Sequence, residues 1–154
     1  MVCHLAQINI ARLIAPLDDS RISDFVSQLA PINALAARAP GFVWRLESAS
    51  GNATGVPYGD DPFVSVNLSV WESVEALRAF THASKHMEVF RERARWFERP
   101  GSPHYCMWWV AAGHVPTVEE GRERLMHYQE RGATPHSFWF SQLFPAPVED
   151  GMRV

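Results

Sequence analysis

Five short runs of alternating apolar residues, separated by amphipathic stretches in the order strand, helix, strand, strand, helix, strand, helix, strand, predict an α+β fold. The first six elements match the split arrangement of ferredoxin-like domains, an antiparallel sheet with helices on one face, here followed by an extra C-terminal helix and strand. With 154 residues, 47% hydrophobic and 20% charged, the chain reads as one domain spanning 1–154, able to bury a core without disulfides.

Leu5 to Leu13 alternates as a strand, with Ala6, Ile8 and Ile10 on one side and Gln7 and Asn9 on the other. Pro16 and Asp18-Asp19-Ser20 then signal a helix carrying Ile22, Phe25, Val26 and Leu29. Pro31 should kink or restart that helix before Pro40-Gly41 stops it. Phe42 to Glu47 is a second strand, and residues 48–62, with three Gly and two Pro, form a long connection. The clearest strand follows, where Val64, Val66, Leu68 and Val70 oppose Phe63, Ser65, Asn67, Ser69 and Trp71.

Ser73 caps a predicted long helix over about residues 74–98, with Ala76, Phe80, Ala83, Met87, Phe90, Ala94 and Phe97 as its apolar stripe. His104 to Ala111 reads as a fourth strand, Thr117 and Glu120 as a capping box for a third helix ending at Gly132, and Ser137 to Phe144 as a last strand. The face bearing Gln7, Asn9 and Asn67 is too polar for an ordinary core and too rich in rings for solvent. It is therefore expected to line a pocket or an interface, and two such sheets closing on each other would form a homodimer.

Composition excludes several functions. A net charge of -3 gives no general attraction to nucleic acid or to an anionic membrane. No apolar run is long enough to span a bilayer, and the Met1-Val2-Cys3-His4 start does not resemble a signal peptide, so a cytoplasmic location is expected. Cys3 and Cys106 form neither a disulfide framework nor a thiolate zinc site. Gly-rich phosphate loops and a GxSxG elbow are missing from the sequence.

The run Asn67-Leu68-Ser69-Val70-Trp71-Glu72-Ser73-Val74-Glu75-Ala76-Leu77, with His86, Arg95-Trp96-Phe97, Trp108-Trp109 and Gly113-His114-Val115-Pro116-Thr117-Val118-Glu119-Glu120, resembles an uncharacterised bacterial family of unknown function. The likeness covers roughly residues 4–145. That family is grouped with the dimeric α/β-barrel superfamily, which includes antibiotic-biosynthesis monooxygenases, haem-degrading monooxygenases, chlorite dismutase, aldoxime dehydratase, isomerases and cyclases. The resemblance implies a dimeric α/β barrel and chemistry on a small molecule. Trp71-Glu72-Ser73 is similar to the strand-to-helix junction of the monooxygenase branch. The haem-degrading branch is matched only in part, since Phe80 and Phe90 stand where its pattern places a helix Trp and His.

His82 and His86 lie four apart on one helix face, a metal-ligand spacing that would need a third donor such as His104. The favoured reading is a surface His82, no metal, and a His86 at the edge of the buried stripe. His86 is the expected acid–base group or, as the resemblance implies, the axial ligand of a haem. Asn67 and Asn9 sit mid-strand, where Asn is locally unfavourable, and are expected to hold a carbonyl or developing oxyanion. Gln7, Trp44, Ser65, Trp71, Trp108 and Phe140 are expected to bind an aromatic or polyketide-like substrate. Arg45, alternating with Trp44 and Leu46, is expected to point outward, and Trp96, beside Arg93, to be partly exposed. Three functions fit: a cofactor-free oxygenase, cyclase or isomerase of secondary metabolism; a haem enzyme; and a non-catalytic binding or scaffold protein.

Overall fold

A computed structural model describes residues 2–47, 56–83 and 91–147. The elements are β1 (Cys3–Arg12), α1 (Ser23–Arg38), β2 (Phe42–Arg45), β3 (Val64–Trp71), α2 (Val74–Thr81), β4 (Tyr105–Ala111) and α3 (Val118–Arg131), with single 3-10 turns at Ser20–Ile22 and Arg93–Arg95. All strand pairs are antiparallel, in the order β2-β3-β1-β4. This is the ferredoxin-like order, reached because β1 pairs in the middle with both β3 and β4.

Register assigns the faces. Ala6, Ile8, Val66, Leu68, Val70, Cys106, Trp108 and Val110 form one buried cluster with Val118 and Leu125 of α3. Leu5, Trp71 and Met107, on the alternate positions, cluster instead with Ala36 of α1, Val74 and Leu77 of α2, and Phe138. The helices of the ferredoxin-like unit thus stand over the polar face, the one bearing Gln7 and Asn9, and the extra helix α3 covers the apolar face. The expected bare polar face does not exist: among the described residues each sheet face has a helix of the same chain upon it.

Two glycines let the layers close. Gly41 takes φ +84°, and a Cβ there would lie 2.4 Å from the Ala76 Cβ, so β2 can start flush against α2 only with glycine. Gly121 brings α3 onto β1, where an added Cβ would meet the Ile8 Cδ1 at 2.6 Å.

Several elements depart from the expected pattern. α1 runs unbroken through Pro31, whose ring suits a helical φ and forfeits one backbone hydrogen bond. The long helix over 74–98 is not one helix: α2 ends at Thr81, where the His82 backbone leaves helical geometry (φ -96°, ψ 3°). Beyond the Arg93–Arg95 turn the chain is extended. There Ile14 N donates to Trp96 O at 2.9 Å and Glu98 N to Arg12 O at 2.8 Å, a pairing no helix could make. The predicted last strand reduces to bridges: Phe138 exchanges two hydrogen bonds with Met107, at 2.8 and 2.9 Å, and the chain then turns at Trp139–Gln142. Trp96 is fully buried against Phe25 rather than partly exposed.

Thr117 caps α3 by accepting from Glu120 N, but the Glu120 carboxylate does not complete a capping box. It bridges the His114 Nε2 at 2.7 Å and the Trp108 Nε1–H at 2.9 Å. No helix among the described residues is long and apolar enough to cross a membrane.

Candidate functional site

A cavity of about 500 Å³ lies between the polar sheet face and the helices α1 and α2. Its floor follows from pairing register. One row across the four strands reads Arg45, Ser69, Gln7, Met107, and the next reads Asn67, Asn9, Tyr105. Cross-strand partners share a face, so these polar groups converge.

They are also bonded to one another. The buried Gln7 donates through Nε2 to Asn67 Oδ1 and to Ser69 Oγ, both at 2.7 Å, and its Oε1 accepts from Asn9 Nδ2 at 3.0 Å. Ser69 Oγ accepts a further bond from the Trp71 indole at 2.9 Å. Gln7 is thus the hub that satisfies and aims the amides of Asn9 and Asn67. Asn67 is exposed and Asn9 half-buried, so these two amides face whatever enters.

Rings form the walls. Trp71 stacks on Phe80 with centroids 5.2 Å apart and meets Phe42 edge-on, while Tyr105 packs on Trp139 at 4.3 Å. Phe25, Leu29, Ile32 and Ala36 of α1 close the opposite side. At one margin the Arg93 Nη2 lies 3.1 Å from the His104 Nε2. A guanidinium only donates, so this ring nitrogen accepts and the proton sits on Nδ1. Burial, and secondarily the charge of Arg93, lowers the His104 pKa and so favours the neutral imidazole.

Of the residues expected from sequence, Gln7, Asn9, Ser65, Asn67, Trp71 and Phe140 line this cavity. Trp108 does not: it is fully buried on the opposite face beneath α3, bonded to Glu120. Trp44 likewise packs with the α3-side cluster, because its register partner is Val70. His86, the expected acid–base group or haem ligand, lies outside the described residues. His82 is exposed at the cavity margin, and no group of three His, Cys, Asp or Glu among the described residues could hold a metal ion.

Sequence reading missed Ser69 and Tyr105, singled out His104 only as a possible third metal donor, and misplaced Arg45, which lines the cavity instead of pointing outward. Ser69 was detectable as the next residue on the Ser65–Asn67 face. Tyr105 and His104 required the β1–β4 register, and Arg45 the bulge between Phe42 and Trp44.

The chain is similar to a protein of unknown function from Nitrosomonas europaea, 14% identical over 75% of this chain and 97% of that one, with a TM-score of 0.49. It is also similar to a cofactor-independent oxygenase from Streptomyces nogalater, 18% identical over 73% of this chain and 95% of that one, TM-score 0.45. A Mycobacterium tuberculosis structure is 15% identical over 74% of this chain and 99% of that one, TM-score 0.47. No curated protein matches the sequence. A family model described as Domain of unknown function (DUF3291) matches residues 4–153, and the chain belongs to that family.

Proposed function

We propose that this protein is a small-molecule enzyme that oxygenates, cyclises or isomerises an apolar aromatic or polyketide-like substrate without a bound cofactor. The observation that carries the reading is the ring-walled cavity of about 500 Å³ with a hydrogen-bonded amide floor. Rings bind a flat substrate, and amides already oriented by Gln7 stabilise an enolate-like oxygen without reorganising. Asn67 and Asn9 hold the substrate oxygen, and His86 moves the proton. His104 is a poor base, because Arg93 already donates to its Nε2 and a proton there would face a cation.

The test is turnover of polycyclic phenols and anthrones in air, followed by oxygen uptake and product mass, with Asn67→Ala and His86→Ala as controls. Turnover that falls in both variants while the fold is retained supports the reading. Saturable binding with no turnover would make the protein a binding module. A near-stoichiometric Soret band after haemin addition, lost in His86→Ala, would replace the cofactor-free reading with a haem enzyme.

A further inference from the structure

The β4 edge of the cavity is closed by residues outside the ferredoxin-like unit. After α3 the chain returns along the outer side of β4, where Phe138 exchanges hydrogen bonds with Met107, and turns at Trp139–Gln142. At that turn the side chains of Trp139 and Phe140 line the cavity. Trp139 packs on Tyr105, the β4 end of the Asn67-Asn9-Tyr105 row, with centroids 4.3 Å apart, and on Phe140 at 4.8 Å. The Arg78 guanidinium of α2 lies 5.2 Å over the Phe140 ring, so roof and side wall meet at this corner. The turn is pinned on both sides. Before it the buried Ser137 hydroxyl donates to Arg124 O of α3 at 2.8 Å, and after it the Trp109 indole donates to Phe144 O at 2.8 Å. A ring system that lengthens toward β4 therefore meets a wall already in place.

We propose, resting on the reading of this cavity as a small-molecule site, that Trp139 is its specificity-determining residue: it ends the cavity at β4 and limits a linear polycyclic ligand held at Asn9 and Asn67 to three fused rings. Three strand spacings, about 14 Å, separate β2 from β4, and the side chains at the two margins shorten that span to the length of a tricyclic system. The wall acts by exclusion. A fourth ring would overlap the indole, and such overlap is relieved only by disturbing the Tyr105 and Phe140 rings or the pinned backbone. A small side chain in place of Trp139 opens an indole-sized space continuous with the cavity and leaves the bonds of Ser137, Phe138 and Phe144 as they are. The amide floor is untouched, because the bonds among Gln7, Asn9, Asn67 and Ser69 do not involve Trp139. Floor and length are thus carried by different parts of the chain, β1 and β3 for the one and the segment after α3 for the other.

The experiment is anaerobic fluorescence titration of the intact protein with anthrone and with naphthacenone, its linear four-ring homologue. It is repeated on Trp139→Ala, on Trp139→Phe and, at the opposite edge of the floor, on Phe42→Ala, with Tm recorded for each. The unmutated protein should bind anthrone roughly ten- to a hundredfold more tightly than naphthacenone, the penalty of forcing extra volume against a packed wall. Trp139→Ala should level or reverse that preference, Trp139→Phe should fall between, and Phe42→Ala should weaken both ligands alike. If Trp139→Ala loses its thermal transition, the same preference in Trp139→Phe decides the matter. Equal affinity of the unmutated protein for the two ligands, or a preference unchanged in the Trp139 variants, would overturn the role of Trp139 and leave the small-molecule site standing. An equal change of preference in Phe42→Ala would overturn the placing of the limit at β4. Failure of both ligands to bind the unmutated protein would overturn the cavity reading together with this inference.

Discussion

The two faces of one sheet have been put to different uses. On the α3 side, Ile8, Leu68, Cys106, Trp108 and Leu125 are at most 1% exposed, and burial pushes the Cys106 thiol pKa far up, which leaves it protonated and unreactive. On the α1–α2 side, the same strands present Gln7, Asn9, Asn67 and Ser69, and the helices stand off to leave a cavity. One face maximises apolar contact and the other spends local stability on fixed dipoles. Packed and cavity-lining residues therefore alternate one by one along β1 and β3. A substitution on either strand should thus affect mainly stability or mainly function.

Trp108→Ala should test the packed face most severely. It empties a fully buried indole site and leaves the Glu120 carboxylate without its indole donor, so a loss of about 3–5 kcal/mol is expected. For a domain of this length that is on the order of 10 °C in Tm. Calorimetric unfolding checks it, and a shift of only a degree or two would mean that α3 is not seated as described. Gln7→Leu should be intermediate, because Gln7 is the hub of the opposite face. Apolar volume is kept, but Asn9, Asn67 and Ser69 lose their partner, for a cost of about 1–3 kcal/mol and a lost alignment of both amides. Denaturant midpoints and turnover should fall together.

Asn67→Ala is the opposite extreme of Trp108→Ala. Asn67 is exposed, but its Oδ1 accepts from the buried Gln7, so its removal should cost about 1 kcal/mol, well short of Trp108→Ala. If it orients a developing oxyanion, turnover should drop by roughly tenfold to a hundredfold against a Tm shift of only a few degrees. A parallel loss of stability and activity would place Asn67 among the structural residues and erase the contrast between the faces.

How far the faces could be read from sequence follows from what creates them. Alternation in Val64–Trp71 directly displays an apolar and a polar side, since strand side chains have period two, and the floor residues Gln7, Asn9, Ser65 and Asn67 were legible for that reason. Which helix covers which side is a tertiary choice, and here the apolar side went to α3. Trp44 and Trp108 were misassigned because a large ring suits a cavity wall and a dry core equally well. The long helix was misread because Phe97 continues a helical stripe on paper, whereas residues 96–98 pair with residues 12–14. Periodicity carries no information about such a long-range bond.

The smallest effect expected is the pH dependence set by His104. Desolvation, with the nearby Arg93 charge, holds the folded pKa below the usual imidazole value of about 6.5. The unfolded chain thus takes up a proton near pH 6.5 that the folded protein refuses until lower pH. Stability from this neutral histidine is complete above that value and declines as pH falls through the window below it. Asp19 and Asp61, whose carboxyls are held down by hydrogen bonds from Arg21 and Arg12, titrate well beneath this window. His104→Gln keeps an acceptor for Arg93 but cannot be protonated, so its urea midpoint should fall less than that of the unmutated protein between pH 7.5 and 5.5. Identical slopes would mean that His104 is as accessible to protons when folded as when unfolded, and that this end of the cavity is wet.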